Sequence, residues 1–209
     1  MKMKQITLAI TLLLSVGSVA QNYKKFGIEK NDSIPAGIAV GKQAPKIEAW
    51  NAAGEQVNPM SGTDQYHVVV FYRGNWCSYC NRYLSNLNDS LDAIRRAGGK
   101  VIAITPEPID KLSTMEGADQ IKRFADPQMK TIRAFDSDFV VTERYQEQLL
   151  EANGMQLAVH NDQRIAQLPV PATYVIAPSG EIIFRHFEYN YSERAQVRDI
   201  IDNINSHRD

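Results

Sequence analysis

Only two cysteines occur among the 209 residues, so a framework of several disulfides is excluded as the source of the fold. No apolar run reaches the ~20 residues that a membrane-spanning helix needs; the stretch Ile6 to Val16 falls well short. No basic block stands out, and 23 Lys and Arg against 24 Asp and Glu give a net charge of −1. That balance argues against nucleic acid and anionic membrane surfaces as partners. No glycine-rich phosphate loop follows a strand, which removes support for nucleotide binding. Internal repeats and low-complexity tracts are absent. The four histidines, His67, His160, His186 and His207, form no ligand-spaced pair.

The N-terminus has the pattern of a secretory leader. Lys2 and Lys4 precede the apolar stretch, and Ser18-Val19-Ala20 offers small residues for cleavage before Gln21. Residues 1–20 are therefore expected to be a signal peptide, and the mature chain to be exported, in the periplasm. Residues 21–40 have the mixed polar, Gly and Pro content of an extension rather than a core. Residues 41–206 are expected to form one domain of ordinary size.

Within that domain, Lys46 to Trp50 and Glu55 to Val57 flank Ala52-Ala53-Gly54, which predicts a hairpin. Tyr66 to Tyr72 is a continuous Val/Phe/Tyr run, the pattern of a strand buried on both faces. Leu84, Leu87, Leu91 and Ile94 recur at helical spacing up to Gly98-Gly99, and Val101 to Ile104 is the next buried strand. Phe139 to Leu150 is expected to be helical, and 151–168 to include a long loop. Ala172 to Ala177 and Glu181 to Phe187 flank the turn Pro178-Ser179-Gly180. A last helix is expected from a Ser192 cap, with Val197, Ile200, Ile201 and Ile204 on one face. The order predicts an α/β fold: a central mixed sheet flanked by helices, with an N-terminal hairpin.

The two cysteines sit three apart in Trp76-Cys77-Ser78-Tyr79-Cys80, where the buried strand ends and the helix begins. Random placement would give that spacing about one time in a hundred, and the context strengthens it. Chemistry collects at the carboxyl ends of strands in such sheets. The first turn of a helix has unpaired N–H groups and a partial positive charge, which lower a thiol pKa. Cys77 is expected to be the exposed nucleophile and Cys80 the resolving thiol. Trp76 is expected to shield the site. Arg73 either adds positive charge near the thiolate or pairs with a surface carboxylate. A purely structural Cys77–Cys80 bridge would close too short a loop to stabilise much. In Pro169-Val170-Pro171-Ala172-Thr173, a cis Val170–Pro171 bond would present the Val170 backbone to an extended substrate.

Phe71-Tyr72-Arg73-Gly74-Asn75-Trp76-Cys77-Ser78-Tyr79-Cys80 resembles the FYRGxWCPYC segment of the peroxiredoxin-like branch of the AhpC/TSA redoxins. Gly41-Lys42-Gln43-Ala44-Pro45 and Pro169 to Ile176 are similar to the family's opening segment and proline strand, so the resemblance runs from about Gly41 to Ile204. It implies a thioredoxin-like fold. It also implies two chemistries. In thioredoxin-like reductases the first cysteine, Cys77 here, is the nucleophile. In true peroxiredoxins the Pro-x-x-x-Thr/Ser-x-x-Cys motif would place its proline on Arg73, its hydroxyl on Cys77 and its peroxidatic cysteine on Cys80. Two of those three positions differ, and the acid that thioredoxin buries beneath its dithiol falls on apolar Val70 or Phe71.

The expectation is accordingly an exported thiol–disulfide oxidoreductase acting on protein or small-molecule disulfides. A redox partner would recharge the dithiol, and no cofactor is expected beyond the Cys77–Cys80 disulfide. The alternative is a peroxiredoxin-like peroxidase acting on hydroperoxides. A metal site built from both thiolates and His160 is a third reading. Asp136-Ser137-Asp138 resembles part of a calcium loop but lacks its glycine and terminal glutamate, and is expected to cap a helix.

Overall fold

A run dominated by apolar and aromatic residues, with no polar alternation, must be covered on both faces, and Tyr66–Phe71 is buried at all six positions, the polar His67 included. In the computed structural model, which describes residues 23–29, 34–61, 64–112 and 117–208, this strand is central. The expected leader lies outside the described residues. The elements in chain order are β1 (Ala49–Trp50), β2 (Gln56–Val57), β3 (Tyr66–Phe71), α1 (Ser78–Asp89), α2 (Leu91–Arg96), β4 (Gly99–Thr105) and β5 (Lys122–Ala125). Then follow α3 (Lys130–Ala134), β6 (Asp138–Val140), α4 (Glu143–Asn153), α5 (Leu157–His160), β7 (Gln167–Pro169), β8 (Ala172–Ile176), β9 (Ile182–Phe187) and α6 (Val197–Ser206).

Seven strands form one mixed sheet in the order β2-β1-β5-β4-β3-β8-β9. β3 pairs in parallel with β4, and β4 with β5, while β8 runs antiparallel to β3 and β9 antiparallel to β8. Successive strand side chains point to opposite faces. Val68 and Val70 therefore join Leu84, Leu87, Ile94, Ile200 and Ile204 on the α1, α2 and α6 side. Val69 and Phe71 join Ile47, Ile132, Phe135 and Tyr174 on the other. Each such side chain contributes about 1.5–3 kcal/mol on full burial, so β3 is the best-anchored strand of the fold. The strand end that carries the cysteines inherits this rigidity.

The hairpin expected near Gly54 is β1–β2, attached to the sheet edge by the Trp50–Ala125 pair. The apolar periodicity from Leu84 to Ile94 spans two helices, split at Ser90, and Gly98 at φ +95° turns the chain into β4.

Four local expectations are corrected. The segment from Phe139 begins as a strand, because β6 finds β7 as its antiparallel partner, a pairing that local periodicity cannot reveal. The helix starts only at Glu143, capped by Thr142, whose Oγ1 accepts the Tyr145 N–H. Residues 151–168 hold α5 and β7 rather than one long loop. α6 starts at Val197 after Gln196, and Ser192 instead donates its hydroxyl to the Asn190 side chain at 2.7 Å. The segment before Gly41 is not a mere appendage: Ile28 is buried with Phe139, Tyr145, Leu149 and Leu168 in a third apolar cluster, and Thr142 N–H donates to Gly27 O. Among the described residues no helix is long and apolar enough to cross a membrane.

Candidate active site

β3 delivers the chain at Phe71 to a five-residue loop, and α1 opens immediately after Cys77. Cys77 is the N-cap of that helix, with its own N–H donated to Gly74 O at 3.1 Å. Cys80 is in the first turn, among the N–H groups that lack helical carbonyl partners. Both thiols are free. Cys77 is only 5% exposed and Cys80 1%, so the exposure expected of Cys77 is not found.

The two sulfurs differ in charge preference. Burial pushes the Cys80 thiol up, but the Cys77 hydrogen bond, then Arg194 and Arg73, outweigh it and bring it down to about 6. Arg194 donates from Nη2 to Cys80 Sγ at 3.4 Å. Cys77 is held far above the ordinary thiol range by its hydrogen bond to Cys80 and by burial. The anion of the pair therefore rests on Cys80, with the Cys77 S–H donating to it. The cation that favours the anion there is brought by tertiary structure: Arg194 lies 114 residues downstream of the sulfur it touches.

Arg73 is 3% exposed, which overturns the surface-carboxylate alternative. Its guanidinium carbon lies 4.7 Å from the Trp76 ring centre, 5.2 Å from that of Tyr145 and 4.4 Å from that of Tyr191. Nη2 donates to Tyr145 Oη at 2.7 Å. Burial opposes its charge, but Tyr145 and the two cysteines more than offset that effect, so Arg73 holds its proton more tightly than an ordinary arginine. Trp76 packs between the first and third apolar clusters.

Gly74 takes φ +146°. A Cβ there would collide with Trp76 Nε1 and sit 2.8 Å from Glu107 Cδ, so only glycine fits. Glu107, 1% exposed, was not singled out from sequence. Its Oε2 accepts the Asn75 N–H at 2.8 Å, and its Oε1 meets His160 Nε2 at 2.8 Å. His160 is thus engaged by Glu107 and not by the thiols. One signal did exist: Glu107 follows the carboxyl end of β4, beside the end of β3, where side chains of parallel strands converge. Arg194, Tyr145 and Tyr191 carried no local signal.

The proline strand departs from expectation. Among the described residues every peptide bond is trans, Val170–Pro171 included. Val170 is fully buried and its N–H donates to Ser137 O at 2.7 Å, so that amide is not open to an extended substrate. Pro171 O accepts the Glu188 N–H at 3.4 Å. The neighbouring Thr173 instead meets Tyr83 of α1, Oγ1 to Oη at 3.0 Å. A cleft of about 460 Å³ lined by Tyr79, Arg82, Tyr83, His186, Glu193 and Arg194 leads to the arginine that holds Cys80.

Residues 40–185 match the model of the AhpC/TSA family. Peroxiredoxin Bcp of Escherichia coli K12 is 28% identical over 109 residues, 52% of this chain and 64% of that protein. A putative peroxiredoxin bcp of Shigella flexneri matches to the same extent. The chain thus spans just under two thirds of the length of these curated relatives. The peroxidoxin BcpB of Mycobacterium tuberculosis superposes with a TM-score of 0.61 at 11% identity, covering 81% of this chain and 97% of that one. A cysteine mutant of the PrxQ of Xylella fastidiosa gives 0.62 at 12% identity, covering 83% and 99%. At such identities the likeness is one of fold, the mixed-sheet thioredoxin-like peroxiredoxin fold.

Proposed function

The chain belongs to the AhpC/TSA family, and from that premise we propose that it is a thiol peroxidase in which Cys80 meets the hydroperoxide and Cys77 resolves the product. The observation that carries this reading is the Arg194–Cys80 contact. The thiolate is the nucleophile in peroxide reduction, and Cys80 is the thiol whose neighbours hold it ionised.

Cys80 thiolate attacks one peroxide oxygen and the O–O bond breaks. The sulfur is oxidised to sulfenic acid, and the departing oxygen leaves as an alcohol, or as water from hydrogen peroxide, with a proton from solvent. Cys77 then attacks the sulfenic sulfur, the hydroxyl leaves as water, and the Cys77–Cys80 disulfide forms. A thiol reductant supplies the two electrons that reopen it. In this reading the Cys77 S–H takes the place of the motif's hydroxyl as the donor to the reactive sulfur.

Steady-state consumption of hydrogen peroxide and an alkyl hydroperoxide, with a dithiol reductant, tests the activity. Turnover well above that of free cysteine is expected, and a rate no faster than free cysteine would overturn it in favour of disulfide exchange led by Cys77. Cys77→Ser should retain one peroxide equivalent as a sulfenic acid on Cys80, detected by a sulfenic-acid trap and mass analysis. Trapping on Cys77 in Cys80→Ser, at the wild-type rate, would reverse the roles.

A further inference from the structure

A buried guanidinium ordinarily sits against a carboxylate, because an unpaired buried charge costs several kcal/mol. Arg73 does not. Among the described residues none of the ion pairs includes it. Its surroundings are three aromatic rings and one neutral hydroxyl, and its buried Nε has no hydrogen-bond partner. Arg73 is four residues before Cys77 and seven before Cys80. Its loop folds back onto the helix start through the Cys77 N–H to Gly74 O bond and through Asn81 Nδ2, which donates to Asn75 O at 2.8 Å.

We propose that Arg73 is a positioning residue whose buried charge is balanced only by the reduced, ionised Cys77/Cys80 pair, and that it thereby sets the pair's redox poise so that the disulfide is readily reduced. Oxidation joins the two sulfurs, removing two electrons and the protons still bound, and leaves a neutral disulfide. Arg73 then remains buried with no anion opposite it. The oxidised state bears that cost, and the reduced state is favoured by the same amount. A depressed thiolate pKa and an easily reduced disulfide are two readouts of one interaction. The sequence position is the one where the peroxiredoxin motif places a proline, which carries no charge. The inference rests on redox cycling of the dithiol but not on peroxide as the oxidant, so it stands or falls apart from the peroxidase reading.

The two cations near Cys80 separate by salt. Arg194 is half-buried and lines an open cleft, so added salt weakens its effect, whereas that of buried Arg73 is screened little. The experiment equilibrates the full chain with reduced and oxidised glutathione at pH 7, in low and in high salt, and follows the pH dependence of thiolate absorbance. Arg73→Met should make the disulfide at least tenfold harder to reduce, about 30 mV for a two-electron couple, at both salt concentrations. It should also move the thiolate titration to higher pH. Arg73→Lys should retain most of the wild-type value. Arg95→Gln, which removes a surface charge on α2, should change neither readout.

The wild-type chain gives a second measurement should Arg73→Met fail to fold. Cys80 has its folded pKa below its unfolded one, so its contribution to stability is present above the unfolded pKa and lost as pH falls through the folded value. The urea midpoint of the reduced chain should therefore fall between pH 9 and pH 5 relative to that of the disulfide form, in high salt as in low. Equal glutathione equilibria for Arg73→Met and wild type, or parallel urea midpoints for the two redox forms, would overturn the proposal.

Discussion

The two flanks of the helix start make an instructive comparison. Around Cys80 the charged contact is a cation, Arg194, with the caged Arg73 behind the loop. Behind the loop that leads to Cys77 the buried charge is an acid, Glu107, spent on the Asn75 N–H and on His160. Both cysteines share one helix N-terminus and its dipole, so the dipole alone cannot distinguish them. The neighbours do. Cations stabilise an anion on one sulfur, while the other, hydrogen-bonded to it, keeps its proton. One flank holds charge and the other holds shape, and each can be broken without the other.

The largest effect is expected on the shape-holding flank. Gly74→Ala forces an L-residue to φ +146° and drives a methyl into Trp76 and Glu107. Strain and overpacking together should cost about 3 kcal/mol of unfolding free energy, read as a lower urea midpoint. A loss under about 0.5 kcal/mol would mean the loop relaxes freely and the two flanks are not distinct.

Arg194→Gln is the corresponding cut on the charged flank. It removes the donor to Cys80 Sγ. Oxidation of the thiol by hydrogen peroxide at pH 7 should slow about tenfold, which corresponds to about 1.4 kcal/mol, with little change in stability. The pH profile fixes the sign. In wild type the rate should fall as pH drops through about 6, where Cys80 takes up its proton. In the variant that fall should begin at higher pH. An unmoved profile would show that Arg194 does not serve the thiolate.

These flanks also mark how far the sequence could be read. β3, α1 and β4 were legible because their burial follows local periodicity: Val68 to Phe71 and Leu84 to Ile94 pack where a period of 2 or 3.6 places them. The strand-to-helix junction made Cys77 and Cys80 a candidate pair for the same reason. Which of the two sulfurs the surroundings favour as an anion was not legible. It depends on Arg194 and on Tyr145 and Tyr191, which reach Cys80 and Arg73 across the fold. β6 and β7 escaped because three-residue strands have meaning only once paired. The Val170 expectation failed for a comparable reason, since its N–H is taken by Ser137, 33 positions earlier.

The smallest expected effect tests whether the acid flank stays out of the chemistry. In Glu107→Gln the amide oxygen can still accept the Asn75 N–H, but the charge that strengthens this bond is lost, as is one of the carboxylate's two acceptor oxygens. About 1 kcal/mol of stability should go with it. Peroxide oxidation of Cys80 should change by no more than about twofold, because Arg194 and the Cys77 hydrogen bond remain in place. A tenfold loss of rate at unchanged stability would merge the two flanks. Glu107 and His160 would then act on the dithiol itself, in the manner of the acid that thioredoxin buries beneath its dithiol, whose place falls here on Val70 or Phe71.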